Sequence, residues 1–145
     1  MADYADRIPP QAVDVEREIL GAMLFDGSAI SRVVEILDAG SFYRDAHRKI
    51  FSAIVVLFER NEPADSLTIV EELRKRKELE AVGGASYLAE LATEVTTSAN
   101  VEYHAKIVRE KALLRKAIVL SSQITAECYA ATRDFQDILG AELGN

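Results

Sequence analysis

Three features of this sequence predict an all-α fold. Apolar residues recur at steps of three and four along most of the chain, the spacing that lines one face of a helix. No segment sustains the alternation of a half-buried strand, and no fixed-period repeat or low-complexity tract is visible. The stretch from Asn100 to Thr132 contains neither Gly nor Pro, so nothing in it forces the backbone out of a helix. A small helical bundle with one long helix on its C-terminal side satisfies all three.

Residues 1–12 read as a flexible arm, in which Pro9-Pro10 is a stiff entry that cannot be helix interior. A globular head is expected over residues 13–99. Its first helix buries Val15, Ile19, Ala22 and Met23, sets Asp14 and Glu16 near the positive end of its dipole, and ends at the turn dipeptide Asp26-Gly27. Ser28 caps a second helix carrying Ile30, Val33, Val34 and Leu37, which Gly40 stops. After Phe42 and Tyr43, Asp45 opens a third. Its Ile50, Phe51, Ile54, Val55, Leu57 and Phe58 cover more than one face, as expected of a central helix. Asn61 to Pro63 breaks it, and Asp65 or Ser66 starts a fourth helix with Leu67, Val70 and Leu73 inside. Gly83-Gly84 separates that helix and its tail from a short fifth one bearing Tyr87, Leu88 and Leu91.

Asn100 can cap the long helix. Val101, Ala105, Val108 and Ala112 form one apolar row along it, and Leu113, Ala117, Leu120, Ile124 and Cys128 a second. At 1.5 Å per residue such a helix is about 50 Å long, whereas a globule of a hundred residues has a radius of gyration of about 13 Å. Part of it must overhang the head. The overhang carries Leu113, Leu114, Ile118, Leu120 and Ile124, more contiguous apolar surface than a monomer leaves in water, so another helix is expected to cover it. After a break at Thr132 to Asp134, Phe135, Ile138, Leu139 and Leu143 restart a helical stripe that the chain end cuts off, and the chain reads as a fragment of something longer.

The formal charge of −7 is unevenly placed: up to Ala99 there are 11 Lys/Arg against 18 Asp/Glu, and from Asn100 onward 6 against 6. An acidic head repels phosphate backbones, which argues against tight duplex binding by this chain alone. The one cationic cluster, Arg74 to Lys77, ends a predicted helix, where cations meet the negative end of the dipole. The longest apolar run, Ala53 to Phe58, is far short of the roughly 20 residues of a membrane span. No basic, apolar leader opens the chain, so a cytoplasmic location is expected. The lone Cys128 forms no internal disulfide and reads as a buried, inert thiol.

Neither a phosphate-cradling G-x-x-x-x-G-K-[ST] nor a dinucleotide-binding G-x-G-x-x-G is present. Two His and one Cys cannot build a zinc site, and Glu-x-x-His pairs for a di-iron bundle are lacking, so no metal or cofactor is assigned to this chain. His47 and His104 have no nucleophile at readable spacing and are expected in packing or surface roles. Tyr87, after Gly83-Gly84, is either a core residue or an interface anchor.

Several segments in fixed order resemble a known family. Arg7-Ile8-Pro9-Pro10-Gln11, Glu16 to Gly21, Phe42-Tyr43 with His47 and Ile50-Phe51, Asp65-x-x-Thr68, Leu79 to Gly84 before Tyr87-Leu88, and Ala99-Asn100-Val101-x-Tyr103 look like the start of a bacterial DnaB-type replicative DNA helicase. The resemblance covers nearly the whole chain. It implies an N-terminal domain built as a helical head followed by a helical hairpin over residues 100–145, the second hairpin helix truncated at Asn145. A linker and an ATPase domain, which would carry ATP and Mg, would follow outside this chain. It further implies a collar that helps assemble a hexameric ring and receives the C-terminal, helicase-binding domain of primase, with a helicase loader as a further partner.

On this reading Leu113, Leu114, Ala117 and Leu120 serve the oligomer interface, while Ile118, Ile124 and Tyr87 serve primase docking. The competing readings are an autonomous helical DNA-binding domain and a small enzyme or ligand-binding bundle. The docking reading predicts that the purified chain hydrolyses ATP no faster than a protein-free blank in a phosphate-release assay, because it has no loop to hold the phosphates.

Overall fold

The computed structural model describes residues 7–130, 134, 136, 137 and 140. Its helices are α1 (Val13–Phe25), α2 (Ser28–Val34), α3 (Asp45–Glu59), α4 (Ser66–Lys75), α5 (Gly84–Glu94) and α6 (Val101–Ala130), with a 3-10 turn over Ala39–Ser41 between α2 and α3. No strand occurs among the described residues. The expected restart of a helix after Asp134 falls largely on residues outside that set.

Local chemistry explains where the elements begin and end. Asp65 caps α4 through a reciprocal box: its carboxylate accepts the Thr68 N–H at 2.9 Å, while the Thr68 hydroxyl oxygen accepts the Asp65 N–H at 3.0 Å. The same device, Asp38 with Ser41, holds the 3-10 turn. Gly40 therefore lies inside that turn, and α2 stops earlier than a glycine stop at position 40 would give. Ser28 is the first residue of α2 rather than its cap; its N–H and hydroxyl both donate to Asp26 Oδ1, at 3.0 and 2.7 Å.

Two helices end on non-glycine residues with left-handed backbone. Asn61 (φ 58°) follows α3, and the Glu62 N–H reaches back to the Leu57 carbonyl at 2.9 Å. Lys77 (φ 59°) follows α4, with the Glu78 N–H on the Leu73 carbonyl at 2.9 Å. Each closes the last turn by satisfying an otherwise orphaned carbonyl.

The described chain forms two compact units. One spans Gln11–Ala112; the described residues of the other are 7–10 and those from Leu113 onward. In the first unit α1 packs against α5, α3 and α2, and α4 bridges α3 and α5. Ile19, Leu20 and Met23 of α1, Ile50 and Ile54 of α3, Ile69 and Leu73 of α4 and Leu88 and Leu91 of α5 are fully or almost fully buried. The first turns of α6 complete this core with Val101, Ala105 and Val108.

Leu67, expected inside, is 74% exposed; α4 turns Ile69, Val70 and Leu73 inward instead, leaving Leu67 in the first turn on the outer face. The cluster Arg74 to Lys77 behaves as a helix terminus. Arg74 pairs with Glu71, Arg76 Nε donates to Glu72 Oε2 at 2.9 Å, and Arg60 approaches the other Glu72 oxygen at 3.4 Å. The hydrogen bond from Arg76 holds the Glu72 carboxyl below its ordinary range.

The α1–α5 contact depends on Gly21. A Cβ there would stand 2.6 Å from the Leu91 carbonyl oxygen and closer still to the Val95 side chain. Backbone cannot retreat as a flexible side chain can, so Gly21→Ala is expected to destabilise the head by about 1–3 kcal/mol. Gly27, which has open space around its Cβ position, is the control. Gly27→Ala should change the unfolding free energy measured in urea by no more than about 0.5 kcal/mol in either direction.

Candidate functional site

Inside the head lies a chain of three polar side chains drawn from three helices. Glu16 (α1) is 1% exposed, His47 (α3) 0% and Tyr87 (α5) 9%. His47 Nδ1 is 2.8 Å from Glu16 Oε1, and its Nε2 is 2.7 Å from the Tyr87 hydroxyl. The tautomer that pairs all three groups has Nδ1–H donating to the Glu16 carboxylate and Nε2 accepting the Tyr87 hydroxyl proton. The second Glu16 oxygen accepts the Tyr43 N–H at 2.7 Å, and the Arg44 N–H points to Oε1 at 3.4 Å. Arg44 is the N-cap of α3 and makes no side-chain cap itself. Glu16 thus pins from another helix the two residues that lead into α3, where negative charge meets the positive end of the dipole.

Carboxylate, imidazole and hydroxyl in a row superficially match a catalytic relay. These three are sealed in the core, line neither of the two clefts described below, and spend their hydrogen bonds on one another and on the α3 backbone. Their arrangement is structural. The Tyr87 ring lies within 5.5 Å of the Arg17 guanidinium and 5.4 Å of that of Arg44. Burial pushes the Tyr87 phenol up, against the opposing pull of Arg44 and Arg17.

Four exposed large aliphatic side chains follow closely on one another along α6. Leu113 (54%), Leu114 (45%), Ile118 (52%) and Val119 (53%) all face solvent in this chain. Leu114, Ala117, Ile118, Ser121 and Thr125 line one side of a cleft of about 1030 Å³, and Ile8, Pro9 and Pro10 line the other. Arg115 fixes the arm to the helix, its Nη1 donating to the Pro10 carbonyl at 2.8 Å. At about 100° per residue, Leu113, Ala117, Leu120 and Ile124 form a second stripe beside that cleft. Leu120 and Ile124 are half-buried, and neither they nor Leu113 line the cleft. No group of three His, Cys, Asp or Glu side chains able to hold a metal ion stands together among the described residues. None of the described helices is long and apolar enough to cross a membrane.

Residues 8–110 match the family described as the DnaB-like helicase N terminal domain. The chain belongs to that family. It is 48% identical over 135 residues to the replicative DNA helicase DnaB of Rhodothermus marinus and 42% identical over 134 residues to the replicative DNA helicase DnaC of Bacillus subtilis (strain 168). These alignments cover 93% and 92% of this chain but 14% and 30% of the relatives, so the chain spans well under half the length of the helicases it matches. The enzymatic motor of such helicases lies outside the matched domain.

Among solved structures, the crystal structure of the N-terminal domain of DnaB helicase from Mycobacterium tuberculosis superposes with a TM-score of 0.88 at 40% identity, covering 94% of this chain and 96% of that one. The N-terminal domain of DnaB helicase from Helicobacter pylori, described together with its interactions with primase, has a TM-score of 0.69 at 19% identity over 80% of this chain and 90% of that one. The second likeness is one of fold.

The DnaB-like domain places the expected site residues unevenly. Ile118 shares the cleft with Leu114 and Ala117, whereas Leu113, Leu120 and Ile124 belong to the neighbouring stripe. Tyr87 sits in the head core with its hydroxyl committed to His47, in a different compact unit from Ile118 and Ile124. Cys128, expected to be a buried thiol, is exposed near the C-terminal end of α6.

Glu16 and His47 were available to sequence reasoning. Glu16 stands at i, with Ile19, Leu20 and Met23 at i+3, i+4 and i+7, and His47 leads Ile50, Phe51 and Ile54 in the same way. A polar residue on an apolar row must be buried, and a buried polar residue needs a partner. Tyr87→Phe removes one hydrogen bond, leaves His47 Nε2 unpaired, and is expected to cost about 1–3 kcal/mol in denaturant unfolding. Glu16→Leu, which strips His47, Tyr43 and Arg44 of their acceptor at once, should cost more.

Proposed function

We propose that this DnaB-like domain acts as part of the collar of a hexameric replicative helicase, helping to hold the ring together and receiving the helicase-binding domain of primase. The observation that carries this reading is the apolar surface of α6, where four large aliphatic side chains, Leu113, Leu114, Ile118 and Val119, are each about half exposed. Burying such a side chain completely is worth about 1.5–3 kcal/mol. A monomer gains nothing by exposing them, so they await an occupant. The interaction with primase described for the Helicobacter pylori domain, and the replicative helicases among the relatives, indicate which occupants to test. Nothing favours duplex DNA, because residues 1–99 carry 18 acidic against 11 basic side chains.

The two faces of α6 divide the work. The stripe Leu113, Leu120 and Ile124 suits a partner helix in self-assembly, and the cleft holding Leu114, Ala117 and Ile118 suits primase, an assignment that exchanges the expected roles of Leu114, Ala117 and Ile124. Ile118→Ala is expected to weaken binding of the cognate primase C-terminal domain by about 2 kcal/mol, roughly thirtyfold, in calorimetric titration. Leu113→Asp should lower the mass-average molecular weight in sedimentation while leaving the helix content by circular dichroism intact. Unchanged primase affinity and unchanged mass in folded variants would refute both assignments.

A further inference from the structure

The head carries a second apolar recess, which shares no lining residue with the α6 cleft. It is a groove of about 360 Å³ between the end of α2 and one side of α3. The core of the head takes one row of α3, with Ile50, Phe51, Ile54 and Leu57 buried. A different row, Ser52, Val55, Val56 and Glu59, follows the i, i+3, i+4, i+7 spacing and faces the groove. Val34 and Leu37 form the opposite wall. Val34, Val55 and Val56 are only half-buried, so the second apolar face of α3 is unfilled.

Charge decides what fits there. Asp38 and Glu59, both exposed, are in the lining, and no Lys or Arg is. Asp38 spends one oxygen on Ser41, and no ion pair or hydrogen bond of the Glu59 carboxylate occurs among the described residues. An apolar floor with an uncompensated acidic rim complements an apolar anchor flanked by cations. A second head is a poor occupant, because residues 1–99 carry a net charge of −7. We infer that this groove docks a basic amphipathic helical segment of another protein, with one or two aliphatic side chains inserted between Val34 and Val55 and Lys or Arg side chains over Asp38 and Glu59.

The test is amide-resolved NMR on the whole chain, titrated with a short synthetic helical peptide carrying leucines one turn apart and flanking lysines. A second peptide has glutamates in place of the lysines. The inference expects the lysine peptide to shift the resonances of Val34, Leu37, Val55 and Val56, and the glutamate peptide to leave them unmoved. Glu59→Lys should weaken the lysine peptide about fivefold, and Val56→Asp about tenfold. Should Val56→Asp unfold by circular dichroism, Glu59→Lys decides, since that side chain is exposed. Shifts confined to α6, no shifts at millimolar peptide, or equal binding of both peptides would overturn the inference. So would a fall in self-association in Glu59→Lys or Val56→Asp, which would make a second copy the occupant.

Discussion

A carboxylate at 1% exposure is tolerable only if its oxygens are met, and the head is arranged so that those of Glu16 are. One oxygen takes the imidazole of α3, the other takes the backbone that leads into α3, and the imidazole hands the network on to α5. Apolar packing between α1, α3 and α5 is permissive about rotation and register, whereas hydrogen bonds at 2.7–2.8 Å are not. The polar chain therefore fixes which way each of the three helices faces, and the surrounding aliphatic side chains supply the bulk of the burial. No buried side-chain nitrogen or oxygen among the described residues is left without a partner, so this specificity carries no orphaned group as its cost.

Most of the head was legible because its punctuation is chemical and local. The capping box at Asp65, the Gly83-Gly84 turn and the rows through Ile19, Ile50, Leu73 and Leu88 all announce themselves over a few residues. What escaped was non-local or two-sided. Leu67 looks inward by composition, but the helical wheel of α4 is already filled by Ile69, Val70 and Leu73. The ends of α3 and α4 use Asn61 and Lys77 in left-handed backbone, a conformation that lysine does not advertise. Gly40 has the composition of a helix C-terminus but sits inside the 3-10 turn that Asp38 and Ser41 hold, after α2 has already ended at Val34.

The candidate site was legible as a face more than as a set of roles. Helical spacing alone asks that something cover Leu113, Leu114, Ile118, Leu120 and Ile124; the first three are exposed and the last two half-buried. Which of these residues share a surface depends on the cleft made with Ile8 to Pro10, where a hydrogen bond spanning 105 positions joins Arg115 to Pro10. No local pattern encodes that contact. Tyr87 shows the opposite case: an aromatic at the right spacing for the core, whose attraction as an anchor vanishes once its hydroxyl is seen to belong to His47.

The angular offset between the two apolar faces of α6 bears on competition. Ile118 and Ile124 are six positions apart, which at about 100° per residue places them some 120° from one another around the helix. On the proposed division the two faces adjoin at Ala117, which lines the cleft and falls within the angular span of the stripe, so occupants centred on Ile118 and on Ile124 meet only at that edge. Any influence of one on the other beyond that edge is a coupling free energy. Such coupling is reciprocal: whatever factor an occupant of the Leu113 stripe imposes on affinity at the Leu114–Ile118 cleft, the cleft's occupant returns to the stripe.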